Sequence, residues 1–120
     1  MIDDQFNIRI ADFGFAASLK GLNGDGFLKS PRGTKGYCAP EIEAEEAYRG
    51  NDVDVFALGV ILFNLLSGSS PFELAIQFDT RYEKIAENRY DSFWEYFERW
   101  RDYPGDFKDL INNMLQLEPK

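Results

Sequence analysis

Within residues 55–66 only Asn64 carries a polar side chain, so a helix built from this run is apolar on every side. Such a helix is stable only where other elements surround it. The run is shorter than the roughly 20 apolar residues a bilayer span needs, and Asp52 and Asp54 stand at its mouth. A buried central helix over residues 51–68 is therefore expected, not a membrane span. Each large apolar side chain buried there is worth about 1.5–3 kcal/mol, and the rest of the chain has to supply the enclosure.

A chain of 120 residues with 44% apolar and 16% aromatic content is long enough for one domain with a filled core. Its formal charge of −8 leaves no basic stripe that could displace counterions from a phosphate backbone, so no nucleic-acid partner is expected, and no membrane partner either. The chain has no histidine, which excludes within it a hydrolase using a histidine base and the common histidine-rich zinc sites. Cys38 is the only cysteine, which excludes an intramolecular disulfide and fits a reducing compartment. Met1-Ile2-Asp3-Asp4-Gln5 lacks the positive and apolar regions of a signal peptide, so a cytoplasmic or nuclear address is expected.

In chain order, Ile8-Arg9-Ile10 alternates like a short strand, with a turn at Asp4-Gln5-Phe6-Asn7 and the stub of a partner at Met1 and Ile2. Residues 11–33 hold Gly14, Gly21, Gly24, Gly26, Pro31 and Gly33 without periodicity and read as a long loop; loops of this length in compact domains are usually functional or disordered. Pro40 suits the first turn of a short helix reaching about Glu46, Asn51 can cap the central helix, and Gly68 through Pro71 end it. Thr80 with Glu83 predicts a capping box for a helix burying Tyr82, Ile85 and Ala86. Ser92 with Glu95 predicts another before Phe93, Trp94, Phe97 and Trp100. After Tyr103-Pro104-Gly105, Asp106 caps a last helix with Phe107, Leu110, Ile111, Met114 and Leu115 on one stripe.

The chemistry must lie in the first third. Asp12-Phe13-Gly14 puts a carboxylate beside a glycine at a strand end, where it can approach a hard cation such as magnesium while Phe13 anchors the segment in the core. Gly33-Thr34-Lys35-Gly36-Tyr37-Cys38-Ala39-Pro40-Glu41 follows, and then Asp54-Val55-Phe56-Ala57-Leu58-Gly59-Val60. In this order and spacing the three motifs resemble the carboxy-terminal lobe of eukaryotic protein kinases. Ser67-Gly68-Ser69-Ser70-Pro71-Phe72 and Asp109-Leu110-Ile111-Asn112-Asn113-Met114-Leu115 extend the resemblance over essentially the whole chain.

The resemblance implies a mainly α fold, helices around one buried central helix, with a short β element at the amino terminus and a long activation segment. It implies that Asp12, within Asp12-Phe13-Gly14, is the ligand of the magnesium that bridges the ATP phosphates, and that Phe13 sets the active or inactive pose. Residues 15–38 would be the activation and substrate-binding segment. Thr34 would help align the catalytic aspartate, which favours a serine/threonine kinase, and Phe15 would tilt it towards serine. Ser30 would be the regulatory phosphosite, a phosphate there pairing with arginine; Ala17 stands where relatives carry a basic residue, leaving Arg9, Lys29 and Arg32 as substitutes. Asp54 would accept backbone N–H groups of the catalytic loop, Phe56 would replace the family's usual tryptophan, and Glu41, in the Ala39-Pro40-Glu41 motif, would form a buried ion pair with an arginine beyond Lys120.

The family's Gly-rich loop, ATP-binding lysine, its glutamate partner, the catalytic aspartate and the asparagine for a second metal have no counterpart in residues 1–120. The expectation is a partial kinase domain, from the Asp-Phe-Gly motif to the penultimate helix, with no catalysis of its own and no tight binding of ATP or Mg2+. Protein substrates bearing Ser or Thr would belong to the complete kinase. The competing reading is a kinase-like docking module without catalysis, binding proteins through residues 72–100, with Trp94, Tyr96, Phe97 and Trp100 as anchors.

Overall fold

The computed structural model describes residues 1–21, 23–99 and 101–116. A single 3-10 turn at Phe13–Phe15 is followed by α1 (Pro40–Glu43), α2 (Gly50–Ser67), α3 (Tyr82–Ala86), α4 (Tyr90–Glu98) and α5 (Gly105–Met114), so the fold is mainly α, as expected. The amino-terminal β element is one antiparallel bridge, Ile2 with Ile8. Ile8 and Ile10 are exposed; with no sheet neighbour among the described residues to cover them, the alternating Ile8-Arg9-Ile10 segment does not extend into a strand.

The apolar run is the central helix, but it is enclosed on one side only. Val53, Phe56, Gly59, Val60 and Phe63 form its buried stripe. On the opposite side Val55, Leu58, Ile61, Leu62 and Leu65 face outward, Leu65 at 78% exposure. By length and composition alone α2 could cross a membrane, with a mean hydropathy of 1.3; here its buried stripe is the wall of the core. Two aromatic groups line that wall. Phe56 meets Phe72 and Tyr82, with centroids 5.9 and 6.2 Å away. Phe63 meets Phe93, Trp94, Phe97 and Tyr103 at 4.7–6.4 Å. Between the two groups α5 crosses at Gly59, where a Cβ would lie 2.9 Å from Met114 Cβ and 3.0 Å from Leu115 Cδ2. The glycine sets this close approach.

The helix ends are set by backbone-angle signals and by caps at positions other than those expected. α2 begins at Gly50 with no side-chain cap, leaving Asn51 inside the helix; it ends where Gly68 adopts φ 75° and donates its N–H to the Asn64 carbonyl. The Arg101 guanidinium donates to the Leu66 carbonyl, placing a positive charge at the negative end of the helix. α1 starts at Pro40 as expected and stops earlier, at Glu43. Thr80 and Ser92 cap nothing, and Ser92 lies inside α4. At the start of α3 that place is taken by Asp79, whose carboxylate accepts the N–H groups of Glu73, Leu74, Arg81 and Tyr82 at 2.8–3.2 Å; α4 starts with no side-chain cap. α5 starts one residue before Asp106, which bonds only its neighbour Phe107 N–H at 3.0 Å.

Candidate functional site

Asp12 holds a left-handed backbone conformation, φ 63° and ψ 81°, and its Oδ1 accepts the Gly14 N–H at 3.2 Å, closing the turn Phe13–Phe15. A non-glycine residue there is uncommon and marks a locally constrained site. The carboxylate is exposed. Phe13, expected to anchor the segment in the core, is 71% exposed, and Phe15 is 62% exposed. No described element lies over this turn, so neither ring has an apolar wall to enter.

Downstream, residues 33–41 make a turn seated on the helical body. Gly33 has φ 151°, and a Cβ there would fall 2.6 Å from Cys38 Sγ; Gly36 has φ 84° and faces the Glu73 carbonyl. The Thr34 carbonyl accepts the Tyr37 N–H at 3.1 Å and the Cys38 thiol at 3.4 Å. Cys38, Ala39 and Pro40 are buried, while Thr34 and Tyr37 stay outside. Burial, with the Glu43 charge, pushes the Cys38 thiol pKa up, which keeps it protonated. The turn is thus fixed underneath and open above, an arrangement that can present its polar edge to an extended peptide.

Ser30 is half-buried, and its carbonyl accepts the Tyr48 hydroxyl at 2.7 Å. Two residues before it, Leu28 pairs with Tyr48 in an antiparallel bridge, N–H to carbonyl at 2.8 and 2.9 Å. Of the basic residues considered for a phosphate at Ser30, Arg9 is committed to Asp3, its Nε donating at 2.9 Å. Asp3 also accepts the Asn7 and Gln5 N–H groups; these bonds, Asn7 first and then Arg9, lower its pKa.

Glu41 is half-buried in a cavity of about 350 Å³ lined also by Asp52, Val55, Phe56, Asn113, Met114 and Gln116. Burial raises its carboxyl pKa, and the charges of Asp52 and Glu46 add to the rise. Among the described residues it has no cationic partner; the arginine implied by the resemblance and residues 117–120 lie outside them. The Tyr82 hydroxyl is buried with no hydrogen-bond partner among the described residues, its ionisation opposed by burial and then by the Glu41 charge. Asp54 is exposed on α2.

No hydrogen bond or ion pair among the described residues joins Asp12 to Thr34, Ser30 or Glu41. Nor do the described residues bring three metal-ligating side chains together anywhere. Magnesium prefers octahedral oxygen coordination, and Asp12 alone supplies one carboxylate, already shared with Gly14. These residues do not by themselves fit the ion. Of the expected docking anchors, Trp94 and Phe97 are 3% and 4% exposed and belong to the core, with Trp94 Nε1 donating to Asn112 Oδ1 at 2.8 Å. The Arg81 and Arg99 guanidinium groups lie 6.0 and 5.8 Å from the Tyr96 ring centroid, and Trp100 falls outside the described residues. Tyr48 and Asp79, which hold the segments around the site, carry no sequence motif of their own.

A family model, the protein kinase domain, matches residues 1–120. The chain is 39% identical over 126 residues to the mouse phosphorylase b kinase gamma catalytic chain, liver/testis isoform, covering all of this chain and 29% of that protein. It is 40% identical to the CBL-interacting serine/threonine-protein kinase 26 of Arabidopsis thaliana, covering 99% of this chain and 25% of that protein. The CBL-interacting protein kinase 32 of rice (Oryza sativa subsp. japonica) is 34% identical over the same shares, 99% and 25%. The chain therefore spans between a quarter and a third of the length of these relatives.

Proposed function

We propose, on the premise that this chain belongs to the protein kinase domain family, that it forms part of the carboxy-terminal lobe of a serine/threonine protein kinase whose complete form transfers the ATP γ-phosphate to protein Ser or Thr. The observation that carries this reading is the match along all of residues 1–120, joined by relatives named as kinases at 39% and 40% identity. Kinases of this family use ATP and Mg2+. In the complete domain Asp12 would hold the magnesium together with groups outside residues 1–120, with Phe13 and Gly14 forming its turn, and Thr34 would support the catalytic aspartate from the segment 15–38. Ser30 is the regulatory phosphosite, and Glu41 and Asp54 are structural. The seating of residues 33–41 on α2 and the loop before α3 supports a peptide-guiding role. The acidic balance and absence of a basic stripe support protein partners rather than nucleic acid or membrane, at a cytoplasmic or nuclear address.

Phosphoryl transfer is positioning plus charge stabilisation and needs several groups at once. Within these residues the donor set is one carboxylate, so the chain alone neither catalyses nor holds ATP and Mg2+ tightly. Titration calorimetry of the 120-residue protein with ATP and Mg2+ is expected to show no binding in the micromolar range. Micromolar heats that vanish in Asp12→Asn would refute that incompetence. A second reading, a kinase-like binding module without catalysis, draws its support from the outward apolar side of α2 and from Phe78, 92% exposed in the 72–100 region. It is favoured by a cooperatively folding monomer without nucleotide binding.

A further inference from the structure

The segment before Ser30 is rich in glycine, and it is held to the helical body by residues that sit immediately before α2. Tyr48 is 8% exposed, its ring part of the main core. Its main chain pairs with Leu28 in both directions, and its hydroxyl crosses 18 positions of sequence to the Ser30 carbonyl at 2.7 Å. The neighbouring Arg49 lays its guanidinium over the Phe27 ring, 4.7 Å from the centroid, a contact worth about as much as a weak hydrogen bond at an exposed site. These ties act on the Phe27 ring and on the backbone of residues 28 and 30, and among the described residues the Ser30 hydroxyl has no hydrogen bond of its own.

From this geometry we propose that Tyr48 is a positioning residue, the fixed half of a clasp that governs access to Ser30. An enzyme that modifies a serine or cuts beside it must bind several flanking residues in an extended form, which the Leu28–Tyr48 pairing and the phenol bond to Ser30 prevent. Reaction at this segment therefore proceeds from the minority of molecules in which the clasp is open. The clasp deepens the regulatory reading of Ser30 above and rests on it only for its purpose; whether the clasp exists is a separate matter.

Limited trypsin digestion of the full chain measures the open fraction at Lys29, which immediately precedes Ser30, with Arg9 as the internal reference outside the clasp. When opening is fast relative to cutting, the rate follows the open population. Tyr48→Phe keeps the buried ring and deletes the phenol bond, so cleavage after Lys29 is expected to rise about five-fold, the factor one hydrogen bond is worth. Cleavage after Arg9 is expected to stay nearly constant, and the midpoint of thermal unfolding to fall by only a few degrees, as the loss of one hydrogen bond predicts. Arg49→Ala is expected to raise Lys29 cleavage in the same direction by about two-fold. Unchanged Lys29 cleavage in both variants overturns the proposal, as does a rise shared equally by Arg9, which marks general loosening. Phosphate incorporation at Ser30, read by mass spectrometry, tests the regulatory reading alone, since the clasp stands on Lys29 cleavage whether or not Ser30 accepts phosphate.

Discussion

Replacing Phe63 and Leu65 separately by alanine tests the one-sided burial of α2 within a single helix. Phe63 is 0% exposed, with four aromatic neighbours at 4.7–6.4 Å, so Phe63→Ala loses the transfer free energy of the ring and leaves a cavity, about 3–5 kcal/mol together. Leu65, at 78% exposure, keeps only a fifth of a leucine's burial gain, about 0.3–0.7 kcal/mol, and alanine's higher helix propensity recovers part of it. Equilibrium urea unfolding followed by Trp94 fluorescence reads both, because Trp94 lies 5.7 Å from Phe63. With a slope of about 2 kcal/mol per molar, Phe63→Ala is expected to lower the midpoint by about 2 M, while Leu65→Ala leaves it nearly in place. A Leu65→Ala loss above about 2 kcal/mol would show that the outer side of the helix is packed after all, and the reasoning would fail.

Gly59→Ala inverts the usual helix preference: alanine gains about 1 kcal/mol of propensity, but its Cβ meets Met114 Cβ and Leu115, and forcing α5 away costs about 1–3 kcal/mol, so thermal unfolding is expected at a lower temperature than in the parent chain. Two carboxylates give pH dependences of opposite sign. Burial alone would raise the Asp79 pKa, yet the N–H groups of Tyr82, Glu73, Leu74 and Arg81 outweigh it and lower the value. Its stabilisation is therefore complete above about pH 4 and lost as pH falls through the depressed value; Asp79→Asn, expected to cost about 1–2 kcal/mol at neutral pH, removes that loss. Glu41 is raised instead, so its charge destabilises the fold at neutral pH and the penalty is relieved as pH falls through the raised value. Glu41→Gln is then expected to melt higher than the parent at pH 7, with the advantage disappearing towards pH 4 to 5.

The elements whose signals are local were legible. Pro40 opens a helix and Gly68 closes one because each acts through its own backbone angle, and Ile111 and Leu115 are buried as the 3.6-residue period of the last helix requires, although Leu110, expected on the same stripe, is exposed. At α3 the cap is displaced by one residue: the Asp79 carboxylate reaches four N–H groups between positions 73 and 82, which outcompetes the single bond Thr80 could offer. At Asp12 the turn itself follows from the Asp-Phe-Gly sequence, but the position of Phe13 depends on whether an apolar wall stands beside it. The Tyr48 to Ser30 bond joins positions 18 apart, and no periodicity encodes a contact of that range.

The apolar run at residues 55–66 shows where composition stops being informative. Being apolar all round states that burial is favourable on every side, not that every side is buried, and Val55, Leu58 and Leu65 are exposed while Phe56, Val60 and Phe63 are not. What selects the buried side is the placement of large rings: Phe56 and Phe63 recur at one helical spacing and meet Tyr82 and Phe97 edge to face and Phe72 and Phe93 at a tilt. Gly59 lies between them on the same side and admits α5, so the stripe combines two aromatic anchors with one gap. The outward residues are aliphatic and lack this complementarity with the described residues. The aromatic side of the helix therefore carries the core through Phe72, Tyr82, Phe93, Trp94, Phe97 and Tyr103, while its aliphatic side contributes little to the stability of these residues.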